Sequence, residues 1–298
     1  MRSTDPSLVF VGVATHDTIA LVDRYPELDE RIVASELVQA GGGPAATAAV
    51  AAARLGHSVA FIGTLGQDEE AASILAGLTA EGVDVSGVSH DPVGHSAASL
   101  VIVSSRQSTR TIINRPPPAI QMSNRAIELL TKADWIHVDQ GGWAPAHDWW
   151  VQQSERPRFS VDAGNPIDGF DPNGLDLYGP TIGALRTRYG DLDYQDLLGR
   201  AVEDGARLVV ATDGGNGSFA LGTDQPLISA EAVTGPILST LGAGDVFHGA
   251  LLAAIQHDLP ISDCLRYANL VAYRSCQGLD GRSAIPTHRE TLVALGAT

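Results

Sequence analysis

The segment 239–251 reads Ser239-Thr240-Leu241-Gly242-Ala243-Gly244-Asp245-Val246-Phe247-His248-Gly249-Ala250-Leu251, and the rest of the chain can be arranged around it. Apolar residues at three- and four-residue spacing predict one buried face of a helix: Phe247, Ala250, Leu251 and Ala254. Residues 242–244 therefore form the turn into that helix. A helix start without bulky side chains presents backbone N–H groups and the positive end of the helix dipole, which suits a phosphoryl group.

Asp245 follows this turn directly. A carboxylate at that position could accept the proton of a hydroxyl that attacks phosphorus. A plainer interpretation is a tight connection in which the aspartate caps the helix. The segment alone leaves both interpretations open.

The composition limits the partners of the chain. Its 298 residues are 44% hydrophobic and 18% charged, which is ordinary for a globular protein of one large domain or two unequal ones. The net charge of −16 argues against nucleic acid or an anionic membrane as a partner. Lys132 is the only lysine, so arginines must supply most contacts to an anionic substrate.

The cysteines and the first residues indicate a cytoplasmic protein. Cys264 and Cys276 lie twelve residues apart without the spacing of metal ligands, which predicts reduced thiols. Residues 1–7 are short and polar, unlike a signal peptide, and no uninterrupted apolar run approaches membrane-spanning length.

Short apolar runs predict the strands of a buried, mostly parallel sheet. They lie at 8–14, 59–63, 135–138, 158–161 and 207–212. Helix patterns occupy 44–55, 69–81 and 259–277. This alternation predicts an α/β fold with αβα layers.

A small β insertion interrupts the alternation. Residues 31–39 resemble a strand, and 97–104 and 109–114 resemble a hairpin around a polar turn at 105–108. Insertions of this kind often form lids over sites at strand ends.

Several residues near these elements are candidates for ligand contacts. Asp17 follows the first strand, where ligands gather in open α/β sheets, although its position alone favours a turn residue. The triple glycine at 41–43 lets backbone approach a ligand. Asn114 and Arg115 precede three prolines and could contact a ligand, whereas His137 fits a satisfied core residue better than a catalyst.

Together these motifs resemble the ribokinase-like (PfkB) family of sugar kinases. The first family signature corresponds to residues 42–68, and the second to Gly242-Ala243-Gly244-Asp245-Val246-Phe247. The Thr-x-Gly-x-x-Gly nucleotide turn corresponds to Thr212, Gly214 and Gly217. The three motifs occur in the family's order and cover nearly the whole chain.

The resemblance implies one ribokinase-like domain over residues 1–298, with a lid from about 31–39 and 97–114. It implies ATP-dependent phosphorylation of a sugar hydroxyl, with magnesium arriving on ATP and no metal site on the protein. Asp245 matches the family's catalytic base, and Gly242, Ala243 and Gly244 match its anion hole. The nucleotide positions are Thr212, Gly214, Gly217 and Asn269. The sugar positions are Asp17, Gly42, Gly43 and Thr47. The lid implies a homodimer.

Within the family, segments 41–50, 244–250 and 281–286 resemble sulfofructose kinases. Arg31 and Asn114 fall near positions that such enzymes use for substrate. The arginine expected after Asp139 is absent, since Gln140 follows it, which weakens the case for a sulfonate. The family's potassium-site aspartate is Ser239, and its Asn-x-x-Glu element is not recognisable in residues 178–190.

Two other functions stay open at this stage. One is a nucleoside kinase of the same family. The other is a non-catalytic protein that binds sugar or nucleotide on the kinase scaffold, which the missing Asn-x-x-Glu element would favour.

Overall fold

A computed structural model of the chain describes residues 6–107 and 109–296. Five of the residues expected to form the polar start of the chain, 1–5, lie outside this range. Ser108 of the expected 105–108 turn also lies outside it. No helix in the described part of the chain is both long and apolar enough to cross a membrane.

The strands form two main sheets and one short pair. In chain order they are β1 (Leu8–Val11), β2 (Thr15–Val22), β3 (Glu36–Gly42), β4 (Val59–Ile62), β5 (Thr64–Leu65), β6 (Ser89–His90), β7 (Ala97–Ser104), β8 (Thr109–Arg115), β9 (Trp135–Val138), β10 (Arg158–Ala163), β11 (Leu177–Pro180), β12 (Leu208–Thr212), β13 (Ser218–Gly222) and β14 (Gln225–Ala230). The larger sheet has the order β14-β13-β12-β11-β10-β9-β1-β4. It is parallel from β4 to β12, and β13 and β14 pair antiparallel at its edge.

Helices cover both faces of this sheet. They are α1 (Pro44–Arg54), α2 (Glu69–Ala80), α3 (Asn124–Lys132), α4 (Trp143–Trp150), α5 (Ile182–Tyr189), α6 (Tyr194–Glu203), α7 (Ala243–Gln256), α8 (Ile261–Ser275) and α9 (His288–Ala294). Leu8 and Phe10 of β1 pack with α1, α2, α7 and α8, whereas Val9 and Val11 pack with α3 to α6. The strand is apolar at every position because both of its faces are buried. The predicted αβα layers are confirmed.

The smaller sheet has the order β3-β2-β7-β8 and lies apart from the larger one. The predicted hairpin is confirmed as the antiparallel pair β7 and β8. The strand expected at 31–39 lies instead at β3, and the prediction missed β2 altogether. In β2 buried and half-buried residues alternate, so the strand lacks the continuous apolar run that marked the other strands.

The inner face of the smaller sheet covers the loop that leads into α7. Ile19, Val101 and Val103 pack against Leu241, which lies just before that helix, and against Leu279. This contact places the sheet over the carboxyl-end edge of the larger sheet, where the candidate site lies.

Close packing of α1 on α7 fixes the position of the site. The alanines of α1 leave little bulk between the helices, and Gly249 of α7 faces the backbone of Ala48. A Cβ on Gly249 would lie 2.2 Å from the Ala48 carbonyl oxygen. Glycine is therefore required at this crossing, which keeps the start of α7 beside the start of α1.

Candidate active site

The start of α7 carries an uncapped N-terminus. Gly242 has φ +72° in the left-handed region, which glycine adopts without strain. Among the described residues, no side chain caps this helix. Ala243 and the exposed Gly244 add almost no bulk. The turn predicted at 242–244 is shorter than expected, because α7 already begins at Ala243, and the N–H groups of this helix start can bind an anion.

Asp245 lies in the first turn of α7 and has an altered acidity. Burial, followed by the negative charge of Asp162, raises its pKa from an ordinary 3.8 to about 7. His248 and Arg110 oppose this shift. A carboxyl group with a pKa near neutrality is well matched to general-base catalysis.

Beneath Asp245, a buried ion pair joins α7 to β10. His248 Nε2 lies 3.4 Å from Asp162 Oδ1, and both side chains are almost fully buried. Burial alone would raise the pKa of Asp162, but the charge and hydrogen bond of His248, the Gly164 N–H and the electrostatic effect of His137 together outweigh it and keep that pKa well below its usual range. Asp162 is therefore already paired with His248, whereas no hydrogen bond or ion pair within residues 6–107 and 109–296 gives Asp245 such a partner.

His137 is a core residue, in agreement with the prediction from its strand. Its Nδ1 lies 2.9 Å from Ser160 Oγ, and burial lowers its pKa to about 3. The ring is therefore neutral.

Asp139 holds the ends of three elements together. Its carboxylate accepts hydrogen bonds from the backbone N–H groups of Val13 (2.7 Å), Ala45 (3.1 Å), Gly141 (2.8 Å) and Gly142 (3.0 Å). Burial raises its pKa to about 6. The sequence indicated an acid at a strand end but gave no sign of this structural role.

Asp17 forms part of a buried polar pocket, and its interpretation as a turn residue was wrong because it lies within β2. Its Oδ1 and Thr15 Oγ1 are buried and have no hydrogen-bond partner in the described part of the chain. A Cβ on Gly42 would lie 2.0 Å from Asp17 Oδ2. Gly43 has φ +90° and stands against the Val13 carbonyl oxygen. The structure thus brings Asp17, Gly42 and Gly43 together as the sequence predicted.

Thr47 meets this pocket through a residue that the sequence analysis missed. Arg282 Nε donates to Thr47 Oγ1 at 3.0 Å, and Arg282 Nη2 donates to Gly42 O at 2.7 Å. The signal available in the sequence was that Arg282 belongs to segment 281–286, which resembles sulfofructose kinases.

The two candidate substrate contacts of the lid, Asn114 and Arg31, lie in different places. Strand register aligns Asp17 with Ser99 and Ser99 with Asn114, so Asn114 is on the same sheet face, about 10 Å from Asp17. Arg31 lies in the exposed segment before β3, and among the described residues no hydrogen bond or ion pair links it to this pocket.

Two further arginines of the lid are engaged differently. Arg110 of β8 was not predicted as a site residue, yet its Nη1 donates to Thr240 Oγ1 at 2.8 Å, just before the α7 turn. Arg115 is held by Glu70 and by the Ser96 carbonyl oxygen.

The predicted nucleotide residues line one cavity of about 290 Å³. Thr212 ends β12, and Gly214 and Gly217 lie in the following turn with positive φ angles. Asn269 Nδ2 donates to the carbonyl oxygens of Ala230 and Glu231, both at 3.1 Å. The cavity continues to Ala243 and Gly244, so it opens onto the start of α7.

The family resemblance implies magnesium, which the phosphates of a bound nucleotide can hold at this site. In residues 6–107 and 109–296, no group of three or more His, Cys, Asp or Glu side chains is arranged to hold a metal ion. In residues 178–190, where the family has its Asn-x-x-Glu element, Thr181 Oγ1 caps α5 by accepting a hydrogen bond from the Ala184 N–H at 3.0 Å. Phosphate oxygens and water are normal ligands of Mg²⁺.

Known carbohydrate kinases resemble this chain over most of its length. The model of the pfkB family of carbohydrate kinases matches residues 5–149 and 189–288. Mouse ketohexokinase is 30% identical over 93% of this chain and 99% of its own length. Bacillus subtilis ribokinase is 25% identical over 95% of this chain and 97% of its own.

The structure of Arabidopsis thaliana ribokinase complexed with ribose and ATP superimposes with a TM-score of 0.79. It has 21% identity and covers 99% of this chain and 100% of that one, which supports the fold. Fold, site and sequence together define a carbohydrate kinase, a phosphotransferase with an alcohol group as acceptor. The chain belongs to the pfkB family of carbohydrate kinases.

Proposed function

We propose that the chain transfers the γ-phosphoryl group of ATP to a sugar hydroxyl, with Asp245 as the general base. The start of α7 supports this because it lies between two sites. On one side, Gly244 lines the nucleotide cavity. On the other, a Cβ on Gly242 would stand 3.4 Å from Thr47 Cγ2 in the pocket of Asp17.

In this mechanism the chain positions two reactants and stabilises charge. Asp245 takes the proton of the attacking hydroxyl. The N–H groups at residues 242–244 and the dipole of α7 bind the transferred phosphoryl group, and Arg110 adds positive charge from the lid. Mg²⁺ bound to ATP neutralises phosphate charge.

The nucleotide site consists of Thr212, Gly214, Gly217 and Asn269. In this proposal Asn269 orients the loop after β14 rather than reading the base, because its amide nitrogen is used by two backbone carbonyls. Tyr273 and Phe247 give the cavity an apolar wall that suits a flat ring.

The acceptor site consists of Asp17, Gly42, Gly43 and Thr47. The likeness to mouse ketohexokinase favours a ketohexose as acceptor. A sulfofructose-like acceptor is the second candidate, and Arg31 and Asn114 would have to serve its sulfonate as the lid closes.

We further propose one kinase domain over residues 1–298 whose smaller sheet is both lid and dimer contact. Leu37, Leu100 and Ile113 lie on its outer face and are 70%, 44% and 60% exposed. A second copy of the chain would cover this apolar face. The buried, unpaired Cys264 and Cys276 support a reducing, cytoplasmic setting.

A coupled ADP-release assay with Mg-ATP tests the function. The acceptor panel contains fructose, ribose, sulfofructose, sugar phosphates, adenosine and inosine. We expect turnover of a sugar and a loss of about 10²- to 10⁴-fold in kcat for Asp245→Asn. Near-full turnover by that variant would refute the assigned base. Preference for a nucleoside would refute the sugar acceptor, and ligand binding without turnover would refute the kinase.

A further inference from the structure

Arg282 holds a guanidinium group in the acceptor pocket. Its hydrogen bonds to Thr47 Oγ1 and Gly42 O fix the plane of the group. Its Nη1 lies 2.5 Å from the place that a Cβ on Gly41 would occupy, so a side chain at that position would displace the guanidinium group. These two bonds use two of the five N–H donors of an arginine, which leaves donors for a ligand.

The same pocket contains acceptors that need a partner. Asp17 Oδ1 and Thr15 Oγ1 are buried without one among the described residues. A buried polar atom left unpaired costs roughly 1–3 kcal/mol, so a ligand that pairs it gains affinity. A sugar hydroxyl both donates and accepts hydrogen bonds. It can therefore satisfy a carboxylate and a guanidinium together.

We propose that Arg282 donates hydrogen bonds to hydroxyl oxygens of the acceptor beside Asp17, and that this contact selects an uncharged sugar. Arg282 donates to hydroxyl oxygens, and Asp17 accepts from hydroxyl groups. The inference rests on the proposed function, because it assigns a substrate contact and a substrate class within that kinase's acceptor site.

The charges around Arg282 favour an uncharged acceptor. Burial lowers the pKa of Arg282 to about 10, and the charges of Asp17 and Asp245 oppose this, so the group remains protonated at neutral pH. Asp280 and Glu81 act in the same direction, so four carboxyl groups act electrostatically on this one guanidinium. The pocket has no surplus positive charge, and a phosphate or sulfonate placed there would meet the negative charge of Asp17.

Kinetics of full-length variants test the assignment. Wild type, Arg282→Gln, Arg282→Lys and Arg54→Gln are compared with Mg-ATP on fructose, ribose and fructose 6-phosphate. Arg54 is the matched control, because its Nη1 donates to the carbonyl oxygens of Arg282 and Ile285 (2.5 and 3.2 Å) and supports the same loop. No hydrogen bond in the described chain links its guanidinium to the pocket of Asp17.

We expect Arg282→Gln to raise the KM for the uncharged sugar about 10- to 100-fold, with a smaller change in kcat and an unchanged KM for ATP. Arg54→Gln should lower the melting temperature and leave the KM for sugar unchanged. Deoxy analogues give a second readout. Removal of the hydroxyl that Arg282 contacts should weaken the wild type and cause no further loss in Arg282→Gln. If Arg282→Gln does not fold, Arg282→Lys carries the same comparison.

The outcomes separate the inference from the proposed function. Equal KM values for wild type and Arg282→Gln would overturn the contact while the kinase stands. If Arg54→Gln raises the KM for sugar as much as Arg282→Gln does, the effect comes from the position of the 282–285 loop and not from a substrate contact of Arg282. Preference for fructose 6-phosphate would overturn the uncharged class. If no sugar is turned over, the proposed function fails. In that case calorimetric titration with fructose tests the Arg282 contact. Fructose binding that is absent, or equally tight in wild type and Arg282→Gln, overturns the inference.

Discussion

Replacement of Asp245 by asparagine should remove activity and also stabilise the folded chain at alkaline pH. Folding raises the pKa of this carboxyl group from 3.8 to about 7, chiefly by burial. Between these values the folded protein holds a proton that the unfolded chain has released. The group's contribution to the free energy of unfolding is therefore present at low pH and is lost as the pH rises from about 4 to 7. Asparagine stays neutral and avoids this loss.

The magnitude follows from the shift. Three pH units correspond to an upper limit of about 4 kcal/mol at pH 8. Water reaches part of the Asp245 side chain and screens the effect, so we expect about 1–2 kcal/mol. For a chain of this size, that is roughly 2–8 °C in melting temperature.

The assay is thermal unfolding of both proteins from pH 5 to pH 8. The variant should melt higher at pH 8, and the difference should shrink towards pH 5. Asp224→Asn is the matched control because Asp224 is exposed in the turn between β13 and β14. A difference that is independent of pH, or an Asp245→Asn variant less stable than the wild type at pH 8, would refute the reasoning.

The same pKa predicts the pH profile of the wild-type reaction. A base with a pKa of about 7 is about 91% ionised at pH 8 and about 9% ionised at pH 6, so kcat/KM should fall about tenfold between them. A flat profile would indicate an ordinary aspartate.

Three substitutions probe the surroundings of the site. Gly249→Ala places a Cβ 2.2 Å from the Ala48 carbonyl oxygen and should cost about 1–3 kcal/mol in chemical denaturation; unchanged stability would contradict the assigned packing of α1 on α7. Gly42→Ala places a Cβ 2.0 Å from Asp17 Oδ2 and should raise the KM for sugar more than about tenfold while sparing ATP; an equal rise for both would locate the acceptor elsewhere. Leu100→Glu places a charge on the exposed outer face of the smaller sheet and should convert a dimer to a monomer in light scattering. A monomeric wild type would refute the proposed dimer contact through this sheet.

The sequence predicted β1, β4, β9, β10 and β12 of the larger sheet because these strands are short apolar runs, whereas β11 and the partly exposed edge strand β14 were not predicted. The run at β1 is buried on both faces, so its pattern reflects one environment and is easily recognised. β2 was missed because it alternates between the lid interior and a half-exposed face. Because β2 was missed, the position of Asp17 was interpreted as a turn. The smaller sheet stands apart from the core, so local hydrophobicity says little about it.

Sequence reasoning identified the glycine-rich turn at 214–217 and the start of α7, which line one cavity, but missed Arg110 and Arg282. Glycines at turns are visible in a sequence because the backbone needs them locally. Arg282 meets Thr47 across 235 residues of chain, and Arg110 meets Thr240 across 130. No periodicity connects such positions. Only the tertiary fold shows that these two of the chain's many arginines reach the site.

Three acids of the site show that partners decide what an aspartate does. Asp139 accepts four backbone hydrogen bonds and joins β1, α1 and the turn after β9. Asp162 pairs with His248 and stays ionised within the core. Asp245 is partly buried near both charges and has no such partner among the described residues, so its pKa is raised towards neutrality. Asp139 and Asp162 have the same residue type and both follow a predicted strand. Only their contacts in the structure show that both have structural roles, unlike Asp245. Of the three, Asp245 alone can both take up and release a proton near pH 7 without breaking a structural bond, which is the property that the proposed reaction requires.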